Sequence, residues 1–406
     1  MTKLSMRQTI FAGLAAAAFF AAGPAFAQGQ PSEGSGERTP PGGIPVGPLT
    51  AYPGIDLAHG YDDNLFLRPN NQSTSSYTVV SPYVRAEAKT GPHKFDIGLR
   101  IDDGRYHSSA ADSYTDYALI GNGDMVFSGR AGLRLRAEYR QGHDARGTTD
   151  AAGTATPNQY ENYGIGGVFR YGAAGAQGRI EIDSSAFRRR YTNNATSTTG
   201  FNRDTTQLGG TFFWRVMPRT ELLAQVGHTN IDYSLGTSTQ DSTENRYLAG
   251  VKWEATAATT GTAKFGRQTK RFDAAGRQDL SASSWDVGVR WSPLTYSVFD
   301  FVSSKQASES TGVGDAIIGK NYGVTWSHAW SSRLRTQALA SFRNDAFTGA
   351  GVTRKDDTTS FGLKVAYDFR RWLRLGAEVT HTERDSNDST LNYKRNLLLF
   401  TVGATL

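Results

Sequence analysis

The chain has 406 residues, of which 38% are hydrophobic, 20% charged and 11% aromatic, and it contains no cysteine. Its mean hydropathy of −0.47 excludes a protein built from transmembrane helices, since each helical span needs about 20 consecutive apolar residues. The lack of cysteine excludes a disulfide framework, a thiolate metal site, a thiol nucleophile and a lipoprotein anchor. The formal net charge is +6, but no long basic run accompanies it, so we expect no nucleic-acid partner.

The N-terminus has the three parts of a secretory signal peptide. Lys3 and Arg7 are basic, residues 10–22 form a short apolar core, and a small-x-small pattern ends at Ala27. We predict cleavage between Ala27 and Gln28, which leaves a mature chain outside the cytoplasm. An uncleaved anchor helix is the alternative, and the Gly-Pro pair that interrupts the apolar run disfavours it.

Residues 28–53 form a polar segment rich in proline and glycine. Such a composition cannot bury enough apolar surface to offset the entropy lost when the chain is ordered. We therefore predict a signal peptide over residues 1–27, a disordered periplasmic lead over 28–53 and one folded domain over 54–406.

From residue 54 onward, apolar residues recur at every second position. Residues 95–101, 133–139, 247–253, 285–291 and 361–369 each alternate apolar side chains with polar, charged or small ones. A period of two is that of a β-strand with one apolar and one polar face. Segments of this kind fill the rest of the chain, which predicts an all-β protein.

The connections between these segments alternate between short and long. Short turns are predicted at residues 90–93, 128–130, 172–177, 217–220, 257–260, 292–293, 331–332 and 370–371, and longer polar loops at 63–74, 108–113, 145–159, 193–203, 234–243, 273–281, 306–318, 346–356 and 385–391. Eight turns and nine loops separate eighteen strands, and both ends of the domain lie on the short-turn side. Short periplasmic turns, long external loops and an even strand number are typical of outer-membrane barrels.

We therefore predict a transmembrane antiparallel up-and-down β-barrel of about 18 strands, with 16 as the alternative count, in the outer membrane of a Gram-negative cell. A soluble propeller or solenoid would also contain many strands. However, no motif recurs at the spacing of roughly 40–50 residues expected for propeller blades. Aromatic residues near strand ends, such as Trp214, Trp253, Trp291 and Trp372, suit the two interfacial girdles of a barrel.

Lipid decides which face of the sheet points outward. A charge on the lipid face of a barrel costs about 2–4 kcal/mol at the midplane, so the charged face must line the lumen. The predicted pore-lining residues are Arg100, Arg134, Arg136, Arg140, Arg215, Arg246, Lys252, Arg290, Arg335, Arg343, Lys364 and Arg374. Together with Arg370 they outnumber the acidic residues of the same face, which favours anionic solutes. The alternative is a lumen whose charges pair with one another and select nothing.

The first strand carries a family resemblance. Gly47 and Pro53 precede it, Tyr61-Asp62-Asp63-Asn64 with Phe66 ends it, and Val79-Val80-Ser81-Pro82 follows on the second strand. This opening resembles that of the putative β-barrel porin 2 family, which includes EpsL-like proteins associated with exopolysaccharide operons. The resemblance implies an outer-membrane barrel linked to exopolysaccharide production or secretion, and it brings no catalytic residues.

On this resemblance we predict a component of exopolysaccharide export across the outer membrane. The alternative is a passive diffusion porin for small hydrophilic or anionic solutes. A general porin narrows its lumen with an acidic third loop, whereas the corresponding loop here, 145–159, holds only Asp150. An outer-membrane hydrolase is a remote third option.

We expect neither an enzyme nor a cofactor or metal site. His107, His143 and His381 lie near external strand ends with acids nearby, as chance proximity in polar loops allows. The Asp62-Asp63-Asn64 and Asp356-Asp357 clusters offer oxygen ligands for calcium, but their spacing is that of ordinary turns.

The expected partners follow from the predicted location. They are outer-membrane lipid and lipopolysaccharide, the barrel assembly machinery and, for an export role, polysaccharide and periplasmic export proteins. The last strand, residues 392–406, resembles the terminal strand that the assembly machinery recognises, although it ends in Leu406 where an aromatic residue is usual.

Overall fold

The computed structural model describes residues 42–148, 154–254, 258–310 and 312–406. The predicted signal peptide with its cleavage site, and the predicted lead up to residue 41, lie outside the described residues. Within the described residues, nineteen strands form one antiparallel sheet.

The strands are β1 (Ile44–Val46), β2 (Leu49–Asp62), β3 (Ser75–Thr90), β4 (His93–Tyr106), β5 (Tyr114–Val126), β6 (Ala131–Asp144), β7 (Asn158–Tyr171), β8 (Gly178–Tyr191), β9 (Arg203–Met217), β10 (Thr220–Tyr233), β11 (Ser242–Trp253), β12 (Thr259–Phe272), β13 (Leu280–Leu294), β14 (Ser297–Glu309), β15 (Ala316–Ala329), β16 (Leu334–Thr348), β17 (Lys355–Arg370), β18 (Leu373–Ser386) and β19 (Tyr393–Thr405). The long connections hold one helical turn, α1 (Ala195–Thr198), and short 3₁₀ turns at Ala110–Asp112, Thr199–Phe201 and Ser389–Leu391. Among the described residues, no helix has the length and apolar character needed to cross a membrane.

The sheet closes on itself. Each strand from β2 to β18 pairs with the next, and β19 returns to pair with β2, so that Leu399 lies opposite Gly60. The short β1 forms a hairpin with the start of β2 and takes no part in the closure. The predicted antiparallel barrel of eighteen strands is thereby confirmed. Closure leaves no unpaired edge among the barrel strands, as a hydrocarbon environment requires.

Apolar side chains cover the outside of the barrel. Ile165, Phe265 and Phe400 are 60%, 58% and 54% exposed, and exposed apolar residues recur at every second position of the strands. A continuous apolar band of this kind would make a protein in water aggregate, whereas lipid covers it in a membrane. We call the end of the barrel with the long connections external and the end with the short turns periplasmic, after the usual orientation of such barrels.

Several predicted boundaries differ from the structure, such as the loop predicted at 306–318, which lies between Glu309 and Ala316, and two of the differences involve proline. The first barrel strand begins at Leu49, five residues before the predicted start at 54. Proline cannot donate a backbone hydrogen bond to a neighbouring strand. Pro53 fits there because the strand edge on which it would donate faces β19, and pairing with β19 is only beginning at this point. The Pro53 carbonyl, on the same edge, accepts from the Leu406 amide. The predicted turn at 292–293 lies inside β13, where a register shift against β14 accommodates Pro293.

Candidate channel lumen

The strand register places all twelve predicted pore-lining residues on the inner face. On each strand they alternate with the exposed apolar residues of the outer face, and their cross-strand partners belong to the same inner set. The set consists of Arg100, Arg134, Arg136, Arg140, Arg215, Arg246, Lys252, Arg290, Arg335, Arg343, Lys364 and Arg374.

Most of these cations pair with carboxylates of the inner face. Arg100 lies 2.8 Å from both Asp56 and Asp102, and Asp368 accepts from Arg374 at 2.7 Å and from Arg335 at 3.1 Å. Further ion pairs join Arg136 and Arg140 to Glu138, Lys252 to Glu254, Arg290 to Asp300, Arg343 to Asp345, and Lys364 to Glu378. Nine of the twelve cations therefore pair with carboxylates, and these pairs lie at several levels of the lumen, including its periplasmic end.

Three of the twelve cations make no ion pair with a described carboxylate: Arg246 toward the external end, which donates to the Ser284 hydroxyl at 2.9 Å, and two near the periplasmic entrance. Within the described residues, Arg134 and Arg215 make no ion pair, and neither does Arg170, which lies opposite Gly132 on the same face. All three lie within four residues of the periplasmic ends of β6, β7 and β9. Asp124 faces Arg134 across the β5–β6 pair without bonding to it. We call Arg134, Arg170 and Arg215 the entrance cations.

At the external end, the loop 63–74 folds into the barrel. Leu65 is only 6% exposed and packs against Tyr77, Val79 and Tyr106, which are inner-face residues of β3 and β4. This is the buried apolar cluster among the described residues, and it lies inside the barrel rather than between two sheets. The loop therefore takes up part of the lumen at the external mouth.

The motif Tyr61-Asp62-Asp63-Asn64 fastens this loop to the barrel. Asp62 is fully buried and accepts from the Arg395 guanidinium of β19 at 3.0 Å, while the Asn64 amide bonds back to the same carboxylate at 3.0 Å. Asp63 accepts from the Asn396 amide at 2.6 Å. Tyr61 points outward and is exposed. The motif thus joins the first and last barrel strands while it turns the chain inward.

The inward loop also contacts the loop at 145–148. The Arg146 guanidinium lies 4.2 Å from the centre of the Phe66 ring and donates to Asp112 at 2.7 Å. The hydrogen bond to Asp112 is the main reason why the pKa of Arg146 is raised. Gly147 has φ +83, and a Cβ there would lie 2.4 Å from the Phe66 carbonyl oxygen, so only glycine fits. Three long connections therefore meet at one side of the mouth.

Two buried charge clusters line the inner wall at the external end. The Lys270 ammonium is fully buried, 3.0 Å from Glu244 and also bonded to Glu309, which accepts from the Tyr233 hydroxyl at 2.6 Å. Similarly, Arg189 lies 3.0 Å from Asp144 and 3.9 Å from the centre of the Tyr160 ring. Sequence reasoning missed both clusters, although tyrosines and charges at the inner positions of neighbouring strand ends were a usable signal.

The three candidate histidines have structural partners. His107 bonds to the Thr78 hydroxyl at 3.2 Å, His143 to Asp116 at 3.0 Å, and His381 to the Asn396 side chain at 2.8 Å. Within the described part of the chain, none of the three imidazole rings bonds to a serine hydroxyl. The arrangement that a serine hydrolase would need is not assembled among these residues.

A comparison with protein families decides the identity. The model for "Putative beta-barrel porin 2" matches residues 39–406. The chain belongs to the putative beta-barrel porin 2 family. The predicted family is thus confirmed, and the match begins before the predicted domain boundary at 54 because the strand hairpin of β1 and β2 is part of the fold. No curated protein matches this sequence.

Solved structures with the same fold include an outer-membrane protein of Pseudomonas aeruginosa. The OpdK structure with vanillate has a TM-score of 0.53 at 12% identity, over 88% of this chain and 99% of that one. OpdK without that ligand has a TM-score of 0.52 at 12% identity, over 88% and 99%. The improved structure of the same protein, as OccK1, gives 0.51 at 13% identity, over 88% and 98%. This member of the putative beta-barrel porin 2 family therefore shares its barrel fold with solved outer-membrane proteins.

Proposed function

We propose that this barrel is a passive diffusion channel for small hydrophilic solutes, with a preference for anions. The observation that carries the proposal is the uneven matching of charge along the inner face. Nine of the twelve predicted pore-lining cations pair with carboxylates, whereas the entrance cations Arg134, Arg170 and Arg215 have no described carboxylate partner. Unmatched cations in a low-dielectric wall raise the local concentration of anions.

The shape of the external mouth supports small solutes. The loop 63–74 packs inside the barrel against Tyr77 and Tyr106 and reaches the loop that holds Arg146. A polysaccharide chain would have to pass the part of the mouth that this loop fills. The export role remains a prediction from the family resemblance, and no contact in the structure favours it over diffusion.

Bilayer recordings test the anion preference. The full chain is reconstituted in a planar bilayer, and the reversal potential is measured across a KCl gradient. We expect chloride to permeate faster than potassium, and the triple variant Arg134→Gln, Arg170→Gln, Arg215→Gln to abolish that preference.

The matched control removes one positive and one negative charge, so the net charge of the lumen does not change. The double variant Arg290→Gln with Asp300→Asn deletes an inner ion pair, with the guanidinium 2.7 Å from the carboxylate, and should keep the preference. An unselective wild-type channel, or a triple variant that stays as anion-selective as the wild type, would refute the proposal. Loss of surface polysaccharide in a deletion strain would instead support export.

A further inference from the structure

A belt of polar residues surrounds the outside of the barrel just beyond the apolar band. On β12, β14 and β15 this belt is strongly basic. Arg267 and Arg271 lie on the outer face of β12, Lys305 on that of β14 and Lys320 on that of β15. We call these four residues the outer basic patch.

The position of the patch places it at the level of lipid headgroups. Arg267 stands two residues external to Phe265, and Lys320 two residues external to Tyr322. Lys305 lies directly opposite Trp285, with its ammonium 5.6 Å from the centre of that ring. Exposed aromatic residues mark the membrane interface of a barrel, so the next position outward meets the headgroups of the outer leaflet.

The cations of the patch lack acidic partners. Within the described residues, none of the four makes an ion pair, and Lys305 and Lys320 face each other directly across β14 and β15. Like charges in directly opposite positions destabilise a sheet unless something neutralises them. Their polar neighbours are hydroxyls, since Lys305 donates to Ser283 at 2.8 Å and Arg267 to Ser281 at 2.7 Å.

The same belt is neutralised elsewhere around the barrel. Asp204 pairs with Arg188 at 2.9 Å and with Arg190 at 2.7 Å, and Lys394 pairs with Glu383 at 2.8 Å. Arg105 also pairs with Asp103 on its own strand. The acid of this belt on β17 is Asp357, which accepts from Asn344 of β16 at 2.6 Å. Asp357 is two strands away from Lys320 and is therefore not its direct neighbour. The acid-free patch therefore differs from the rest of the belt.

We propose that the outer basic patch binds the phosphate groups of a phosphorylated glycolipid of the outer leaflet, the lipid A part of lipopolysaccharide. Phosphate forms strong, charge-assisted hydrogen bonds with guanidinium and ammonium groups. The acyl chains of the same lipid would lie along the apolar band below, beside Phe265 and Trp285. The proposal depends on the orientation of the barrel and not on its solute preference.

Native mass spectrometry of the full-length mature protein in detergent tests the site, with diphosphorylated lipid A as the probe. The double variant Lys305→Gln with Lys320→Gln should weaken binding by about tenfold or more, since each basic residue near an anionic membrane surface contributes measurably. The matched control is Arg188→Gln with Arg190→Gln, which removes two cations of the same belt that already have Asp204 as partner. We expect the control to change binding by less than about threefold.

Three further probes identify the ligand. Lipid A without its phosphates, phosphatidylglycerol and inorganic phosphate should each bind at least about tenfold more weakly than diphosphorylated lipid A. Equal loss of binding in the patch variant and the control would overturn the site. Equal binding of phosphatidylglycerol or inorganic phosphate would overturn the choice of glycolipid.

Folding and conduction are checked separately. Both variants should keep the shift in gel mobility between unheated and heated samples that a folded barrel shows, and both should keep the wild-type reversal potential. If the double variant does not fold, Lys320→Gln alone should still weaken lipid A binding, and unchanged binding would overturn the proposal. A change in reversal potential alone concerns the proposed channel function and leaves this site unaffected.

Discussion

Two pairs of cations, one at each end of the lumen, have opposite surroundings. At the external end, Lys270 and Arg189 are buried and bonded to carboxylates. At the periplasmic end, Arg134 and Arg170 are exposed and make no ion pair with any described residue. Both sets lie on the inner face of the same sheet, so the difference arises from what packs over them.

Burial explains this contrast. A buried charge must be paired and hydrogen-bonded, because the loss of hydration would otherwise cost several kcal/mol. An exposed cation keeps its water and can exchange it for a passing anion. We infer that the charges of the external end stabilise the mouth, while those of the periplasmic end act on solutes. The predictions below test this division.

The largest expected effect comes from breaking a buried pair at the external end. Asp62→Ala removes the carboxylate that accepts from the Arg395 guanidinium, and should lower the free energy of unfolding by about 3–5 kcal/mol. Urea unfolding in detergent micelles measures the change. The double variant Asp62→Leu with Arg395→Met removes both charges and should recover most of the loss. A double variant less stable than the single one would show that the pair itself is not the source.

Removing the inward loop should open the mouth. If residues 64–73 are replaced by a short glycine-containing turn, the lumen loses the packing of Leu65 and Phe66, and single-channel conductance should rise by a factor on the order of two. Shortening the loop at 234–241, between β10 and β11, is the control and should leave conductance close to wild type. An unchanged conductance after loss of 64–73 would mean that the narrowest point lies elsewhere.

A smaller effect is expected at the contact between the two loops. Gly147→Ala adds a Cβ that meets the Phe66 carbonyl at 2.4 Å in backbone with φ +83, so stability should fall by about 1–3 kcal/mol. Gly91→Ala is the matched control, because Gly91 has φ +58 but open space around it and would report the backbone strain alone. Equal losses in the two variants would show that the loops do not press on each other.

Much of the barrel could be predicted because lipid imposes a simple rule on every strand. Alternation along residues 95–101 or 361–369 shows directly which side chains face the hydrocarbon, and the inner face follows.

The boundary at 54 was misplaced because Pro53 suggests a chain that is not yet paired. The inward course of 63–74 could not be predicted, since the polarity of a loop does not tell whether it packs into the lumen or into water. The second partner of Lys270 was equally inaccessible, because Glu309 lies 39 positions along the chain and, unlike Glu244, not on a neighbouring strand.

The smallest expected effect is that of ionic strength, which should act on the entrance cations and hardly at all on the buried pairs of the external end. The entrance cations are exposed or half-buried, so mobile ions screen them, and the Debye length falls from about 10 Å at 0.1 M salt to about 3 Å at 1 M. We therefore expect the chloride preference of the wild-type channel to decline as KCl is raised over this range. The stability lost in Asp62→Ala should hardly change with salt, because the Asp62–Arg395 pair is buried. Reversal potentials and urea unfolding, measured on the same preparation at both salt concentrations, provide the test. A salt-independent preference would assign selectivity to the paired, partly buried charges of the inner wall instead of to the entrance.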